Sequence, residues 1–426
     1  MEKHDSKYHA YVEILHEELI PAMGCTEPIA LAYAASIARD TLGGMPDHVI
    51  VRASASIIKN VKSVIVPNTD GLKGIPAAAA AGLVAGISAN MLEVIAKVDD
   101  MQRSEMRAFL QKVPCKIERL NTEHVFELEV ELTWGSETSY VHIEDFHTNI
   151  VCVKKNGQVV YSANTTDGDE DSKKPNHTLL NMEEIYEFAE LVDIDDVRDV
   201  IKRQIDYNTS IAEEGLRHPY GANIGKVLMG TYGTDVKIRA KAKAAAASDA
   251  RMGGCEMPVV INSGSGNQGI TASVPVIEYA KDLHVSEEKM YRALVLSNLT
   301  TIHLKTGIGT LSAYCGAVSA GAGAGAGIAY LKVGSFDAVK HTVVNDLAIV
   351  SGIICDGAKP SCAAKIAASV DAAILALNMY ERNQQFCRDD GIVMENIEET
   401  IKSVGVIGRE GMRSTNDEII RQMIHE

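Results

Sequence analysis

The segment ICDGAKPSCAAK, residues 353–364, sets Cys355 and Cys362 on the two sides of a Gly-Ala-Lys-Pro turn. Pro360 suits the opening of a helix, so Cys362 is expected at a helix N-terminus, and Gly357 is expected to end the helix that carries DLAIVSGII. Free N–H groups and the positive dipole end favour a thiolate there. A third thiol is available at Cys315 in AYCGAVSAGAGAGAG, where the small residues that follow let backbone approach a bulky inorganic group. Three thiolates without a nearby histidine pair suit an iron–sulfur cluster with one open iron better than structural zinc, which takes four ligands. By spacing alone the three are also compatible with small, buried hydrophobes.

Cys25 lies in PAMGCTEPIALA, where Thr26 is expected as N-cap and Pro28 in the first helical turn. A helix start beside it favours the thiolate and makes Cys25 a candidate nucleophile or general base, with an inert core thiol as the alternative. Cys115, Cys152, Cys255 and Cys387 have no partner at an informative spacing and read as structural. VVINSGSGNQGITASVPV contains Gly264-x-Gly266-x-x-Gly269, but the β-branched run that follows holds Pro275 and argues against a phosphate-facing helix. Its Ser263 and Asn267, with Asn262 and Ser265, could instead offer donors to a carboxylate, or form a plain turn. Lys305 in HLKTGIG could be a Schiff-base lysine, a carboxylate anchor or a surface charge. His303 could shuttle protons or be a satisfied core histidine.

These residues need a scaffold, and 426 residues with 46% hydrophobic and 5% aromatic content favour closely packed helices over a β-sandwich. The expected class is α+β. Residues 1–46 read as N-terminal helices carrying the Cys25 motif and packing on the helical domain. Residues 47–163 read as a mixed α/β module, with HVIVRASASI and KSVIVP as β segments and a hairpin at Asn156-Gly157. Residues 164–180 form a polar connection, and 181–426 an all-helical catalytic domain. The uncharged run Leu311 to Leu331 alternates Gly and Ala and reads as a buried element, so no membrane span is expected. Dispersed Lys and Arg in a chain of formal charge −16 exclude the footprint of a nucleic-acid binder. Small molecules are the expected partners, and a homo-oligomer is left open. The charged N-terminus lacks an apolar core, which points to the cytoplasm and to free or ligating thiols.

The blocks PAMGCTEPIALA, NSGSGNQGITASVPV, HLKTGIGTLSAYCGAVSAGAGAGAGIAYL, ICDGAKPSCAAK and GREGMRSTNDEIIRQM together resemble the L-cysteine desulfidase family, which belongs with the iron–sulfur L-serine dehydratases. The resemblance implies a [4Fe-4S] cluster held by Cys315, Cys355 and Cys362, with Cys25 as the base in α,β-elimination from L-cysteine. Serine dehydratases carry a Ser-His-Thr-containing motif where this chain has Gly24-Cys25-Thr26-Glu27-Pro28, a departure that favours the desulfidase side. VPNTDGLKG, 66–74, corresponds by resemblance to a substrate-side loop. Thr26, Glu27, Asn68 and Thr69 are therefore candidate substrate contacts, beside Ser263, Asn267 and Lys305. The rival readings are an L-serine dehydratase, a pyridoxal-phosphate lyase using Lys305, and a non-catalytic iron–sulfur or cysteine-sensing protein.

Overall fold

The computed structural model describes residues 3–122, 124–163, 176–309 and 312–424. Helix α1 (Ser6–Glu18) buries Tyr8, Tyr11, Ile14 and Leu15, one stripe of an amphipathic surface, against the helical part of the chain. Strand β1 (Pro21–Met23) follows, and helix α2 (Thr26–Leu42) ends on Gly43 at φ 87°, a left-handed residue that closes the helix.

Strand β2 (His48–Ala53) alternates its exposure and points Val49, Val51 and Ala53 inward. Helices α3 (Ala55–Val61), α4 (Gly74–Ala85) and α5 (Asp100–Lys112) come next, the last opened by a capping box between Asp99 and Gln102. Four of the next strands form a meander: β4 (Glu127–Trp134), β5 (Glu137–Glu144), β6 (Ile150–Lys155) and β7 (Gln158–Ser162), preceded by β3 (Cys115–Arg119). The six-stranded sheet runs β3-β2-β4-β5-β6-β7, parallel only between β2 and β3. Helices α2 and α4 share one core with the sheet. A Cβ on Gly82 of α4 would lie 2.1 Å from the Ala32 carbonyl oxygen of α2, so the two backbones touch.

The remaining helices build a second core. They are α6 (Met182–Leu191), α7 (Ile194–Arg217), α8 (Ile224–Tyr232), α9 (Val236–Met252), α10 (Gly266–Asp282), α11 (Glu287–Ile308), α12 (Gly316–Lys332), α13 (Phe336–Val350), α14 (Cys362–Tyr380), α15 (Ile397–Val406) and α16 (Arg413–Ile424). Helix α12 is the axis of this bundle, packed by α10, α11, α13 and α14 and buried from Ala317 to Leu331. Its glycines make that possible: a Cβ on Gly323 would meet Thr301 Oγ1 at 2.2 Å, and one on Gly327 the Ala293 carbonyl at 2.9 Å. Helix α14 is long and apolar enough to cross a membrane, and 56% of its apolar window is buried within the protein.

Several local expectations are corrected. Helix α2 packs on the sheet with α4 and leaves α1 and β1 to the helical part, because its small residues match the face of α4. KSVIVP forms no strand; it contributes one isolated bridge, Ile65 with Lys73. The Gly264-x-Gly266-x-x-Gly269 motif does open a helix, α10, and Pro275 sits inside it, since burial from Gln268 through Ala280 outweighs the lost N–H. PAM pairs antiparallel with β8 (Pro258–Val260), two strands too short to stand out in the sequence. Of the polar connection, residues 164–175 lie outside the described residues, and His177–Leu179 form a single 3-10 turn.

Gly82→Ala is expected to lower stability by about 1–3 kcal/mol through overpacking of α2 on α4. Gly230→Ala on exposed α8, where a Cβ meets nothing within 4 Å, is expected to be neutral or stabilising by up to about 1 kcal/mol. Urea midpoints of the two variants check the contrast; equal midpoints would remove the close α2–α4 contact.

Candidate functional site: a cysteine triad among helix starts

Helices α2, α12 and α14 each begin at a cysteine. Cys25 is the N-cap of α2, Cys315 the N-cap of α12, and Cys362 the first residue of α14. The expectation of Thr26 as N-cap thus moves by one residue. Gly357 does not end the helix before it either: α13 stops at Val350, and Gly357, at φ 91°, serves another purpose. A Cβ there would lie 2.3 Å from the Lys59 carbonyl oxygen, so this glycine lets the end of α3 cross the turn.

Cys315 and Cys355 are placed by backbone. Cys315 N–H donates to Ile353 O at 3.1 Å and Cys355 N–H to Ala313 O at 2.6 Å, the two bonds flanking an antiparallel bridge between Tyr314 and Ile354. The turn from Cys355 to Cys362 is held by Asp356, which pairs with Lys359 at 2.5 Å and with Lys365. Lys365 also donates to Ile354 O at 2.8 Å and so ties α14 back to the bridge. Burial pushes the Cys315 thiol up to about 12, with the charge of Cys355 next in weight, and burial raises Cys362 as well. Without a ligand that stabilises thiolates, these sulfurs stay protonated.

The triad also has the chemistry of an anion site. Lys305 is 5% exposed and donates to Gly309 O at 2.6 Å; burial drags its ammonium down to about 8, opposed by the nearby Cys355 and Cys315. Lys59, 1% exposed, reaches Cys355 O at 3.4 Å and Asn416 Oδ1 at 2.6 Å, and burial lowers it too. Among the described residues neither lysine has a carboxylate at ion-pair distance. Two buried cations beside three thiols call for negative charge on the sulfurs. The thiols do not draw together as a mononuclear site would. Tetrahedral zinc holds its sulfurs about 3.8 Å apart, yet the groups of three ligand atoms within 4.8 Å of one another, among the described residues, lie on the sheet, at His124, Glu144 and Asp145 and at Glu127, His142 and Glu144. Three soft donors faced by cations are a donor set that could hold an iron–sulfur cluster.

Cys25 packs with Val64, Met252, Ala358 and Cys362 in one small apolar cluster, beside the triad turn. Its thiol donates to Glu27 Oε2 at 2.9 Å, and Asn60 Nδ2 donates to Glu27 Oε1 at 3.0 Å. The expected thiolate is overturned in this arrangement: burial, then the Glu27 charge, raise Cys25 well above the ordinary thiol range despite the helix start. Burial acts against Glu27 as well, but His147, the Cys25 thiol and Arg251 outweigh it and hold the carboxyl low. His147, on the β5–β6 connection, lies tilted against Phe126 with ring centroids 4.6 Å apart and leaves Nε2 buried without a partner; burial lowers its imidazole against the pull of Glu27.

The other sequence candidates separate. Thr26 Oγ1 bonds Glu27 Oε2 and reaches Gly264 O at 3.4 Å, joining the α2 start to the loop before α10. Ser263 Oγ turns to Asn262, while Asn267 Oδ1 is buried without a partner. The 66–74 loop touches the Cys25 turn, since a Cβ on Gly24 would lie 2.2 Å from Pro67 Cγ. Asn68 and Thr69, however, spend their polar groups on Ile95 O and Val66 O and support the loop from within. His303 pairs with Glu398 at 2.9 Å, the satisfied histidine of the plainer reading. Sequence reasoning missed Lys59, His147 and Arg251, none of which lies in a motif; Arg251 ends an Ala-rich helix and is 3% exposed.

The family model described as the serine dehydratase alpha chain matches residues 92–421. A UPF0597 protein of Desulfitobacterium hafniense is 54% identical over 100% of this chain and 99% of its own length. UPF0597 proteins of Lachnoclostridium phytofermentans and Treponema denticola are 49% and 44% identical, over 98% and 99% of this chain and 100% and 99% of their own.

Alkylation needs a thiolate and access. At neutral pH iodoacetamide is expected to label exposed Cys387 first and Cys25, 3% exposed, last in the folded cluster-free chain. Peptide mass spectrometry reads the order, and early labelling of Cys25 would contradict its placement.

Proposed function

The chain belongs to the serine dehydratase alpha chain family, and from that premise we propose that it removes the β-substituent of L-cysteine by α,β-elimination, using a [4Fe-4S] cluster held by Cys315, Cys355 and Cys362. Lyase-type chemistry goes with the family. The observation that carries the finer reading is the position of Cys25, whose thiol lies against the Cys355–Cys362 turn and is hydrogen-bonded to a buried carboxylate. A thiol at that motif, in place of a Ser-His-Thr sequence, favours cysteine over serine as substrate.

The reaction breaks the Cα–H and Cβ–S bonds of L-cysteine and forms a Cα–Cβ double bond. Sulfide leaves, and the aminoacrylate tautomerises and takes up water to give pyruvate and ammonia. Held by Cys315, Cys355 and Cys362, a cluster would supply Lewis acidity for the departing sulfur. The chain itself handles the proton. Cys25 Sγ passes its own proton across 2.9 Å to Glu27 Oε2 and, as thiolate, takes the proton from Cα. Asn60 and Thr26 hold Glu27 in place for that exchange. Closure of the site by Val64, Met252 and Ala358 keeps water from competing. Lys59 and Lys305 balance the negative charge of the thiolates.

After anaerobic reconstitution, sulfide and pyruvate released from L-cysteine are expected to exceed pyruvate from L-serine; the opposite order would favour the serine dehydratase reading. Cys25→Ser should retain iron and lose turnover by about 10²–10⁴-fold, the range of a lost general base. Cys355→Ala and Cys362→Ala should lose iron. Full activity in Cys25→Ser would remove it as the base, and unchanged iron content in the other two would remove the ligand assignment.

A further inference from the structure

We propose that Arg251 and the first turn of α10 form the subsite for the substrate's α-carboxylate, with the side-chain amide of Gln268 receiving its ammonium group; the identity of the occupant rests on the reading of an amino-acid substrate above. Arg251 closes α9 and is 3% exposed, its Nε is buried without a hydrogen-bond partner, and among the described residues no carboxylate lies at ion-pair distance. Its guanidinium lies over the first residue of α10: a Cβ on Gly266 would be 2.4 Å from Nε and 2.9 Å from Cζ. Gly266 therefore keeps the helix start open to the arginine. The N-cap of α10, Ser265, gives it no side-chain cap.

A buried cation thus faces the positive end of a 17-residue helix, and each makes the other less favourable. One anion between them compensates both. The planar fork of a guanidinium matches a carboxylate in two-point geometry, and free N–H groups of the α10 start can bond the same oxygens.

Placement makes that anion part of a small zwitterion. The Arg251 charge acts on both Cys25 and Glu27, and Thr26 touches Gly264, so the subsite opens on the side of the base. Gln268, 6% exposed, has Oε1 buried without a partner. Its amide abuts α12 at the residue after Cys315, where a Cβ on Gly316 would lie 2.7 Å from the amide carbon. A molecule with its carboxylate on Arg251 and its ammonium on Gln268 Oε1 lies beside the start of α2 that carries Cys25 and beside the start of α12 that carries Cys315. Those are the two places where elimination needs Cα–H and the β-substituent.

Calorimetric titration with L-alanine, propionate and cysteamine tests the subsite, because L-alanine carries both charged groups and no leaving group. The reconstituted wild-type protein is expected to bind L-alanine more tightly than propionate and cysteamine. Arg251→Gln should weaken L-alanine by tenfold or more, the loss expected for a charge-assisted pair, and Arg251→Lys should fall between. Gln268→Ala should weaken L-alanine and leave propionate unchanged, so the assignment stays testable even if Arg251→Gln fails to fold. Wild-type affinity for L-alanine in folded Arg251→Gln, or in Gln268→Ala, would overturn the corresponding half of the proposal. Failure of the two readings separates cleanly: turnover of L-cysteine by Arg251→Gln at an unchanged KM sinks the subsite and leaves the elimination standing. Arg251-dependent binding of L-alanine by a wild-type protein that releases neither pyruvate nor sulfide does the reverse.

Discussion

Two backbone hydrogen bonds, Cys315 N–H to Ile353 O and Cys355 N–H to Ala313 O, hold the loop before α12 against the loop after α13. Everything at the site is referenced to that short antiparallel contact. It fixes two of the sulfurs, and the Asp356 clamp with Lys359 and Lys365 swings the third, on Cys362, back toward them. Because each contact is made by backbone or by a half-buried ion pair, the fold itself positions the triad. That is preorganisation: contacts within the fold set the positions of the sulfurs.

Burial sets the cost of this arrangement. Thiols, lysines, a glutamate and an arginine are withdrawn from water within one region, where an unpaired charge is expensive. The charges are arranged so that ligands complete the balance: Lys59 and Lys305 face the sulfurs, and Arg251 faces a helix start. Burial and the Glu27 charge hold the Cys25 thiol above its ordinary range, and its proton is given to Glu27 Oε2 in a hydrogen bond. The two cores of the protein meet here. Helices α2 and α3, packed with the sheet, bring Cys25, Glu27 and Lys59, while the bundle brings the triad, Lys305 and Arg251.

The sequence carried the parts of this site whose signal is local. Pro360 marked a helix start at Cys362, and the small residues after Cys315 marked a helix that tolerates close neighbours; both features appear in α14 and α12. What failed was decided by contacts far along the chain. Pro275 read as a helix breaker, yet packing against α9 and α12 outweighs one missing hydrogen bond. Cys25 read as a thiolate from its helix start, but the desolvation that reverses this comes from Val64, Met252 and Ala358, distant in sequence. Arg251 and His147 have no motif, and only the fold reveals a guanidinium over Gly266 or an imidazole beside Glu27.

The central claim, three thiols on a cubane that leaves one iron for the substrate, is read most directly by Mössbauer spectroscopy of the protein reconstituted with iron-57. The account predicts that adding L-cysteine shifts one iron site of four and leaves three unchanged. Four irons that stay equivalent and indifferent to L-cysteine would contradict it.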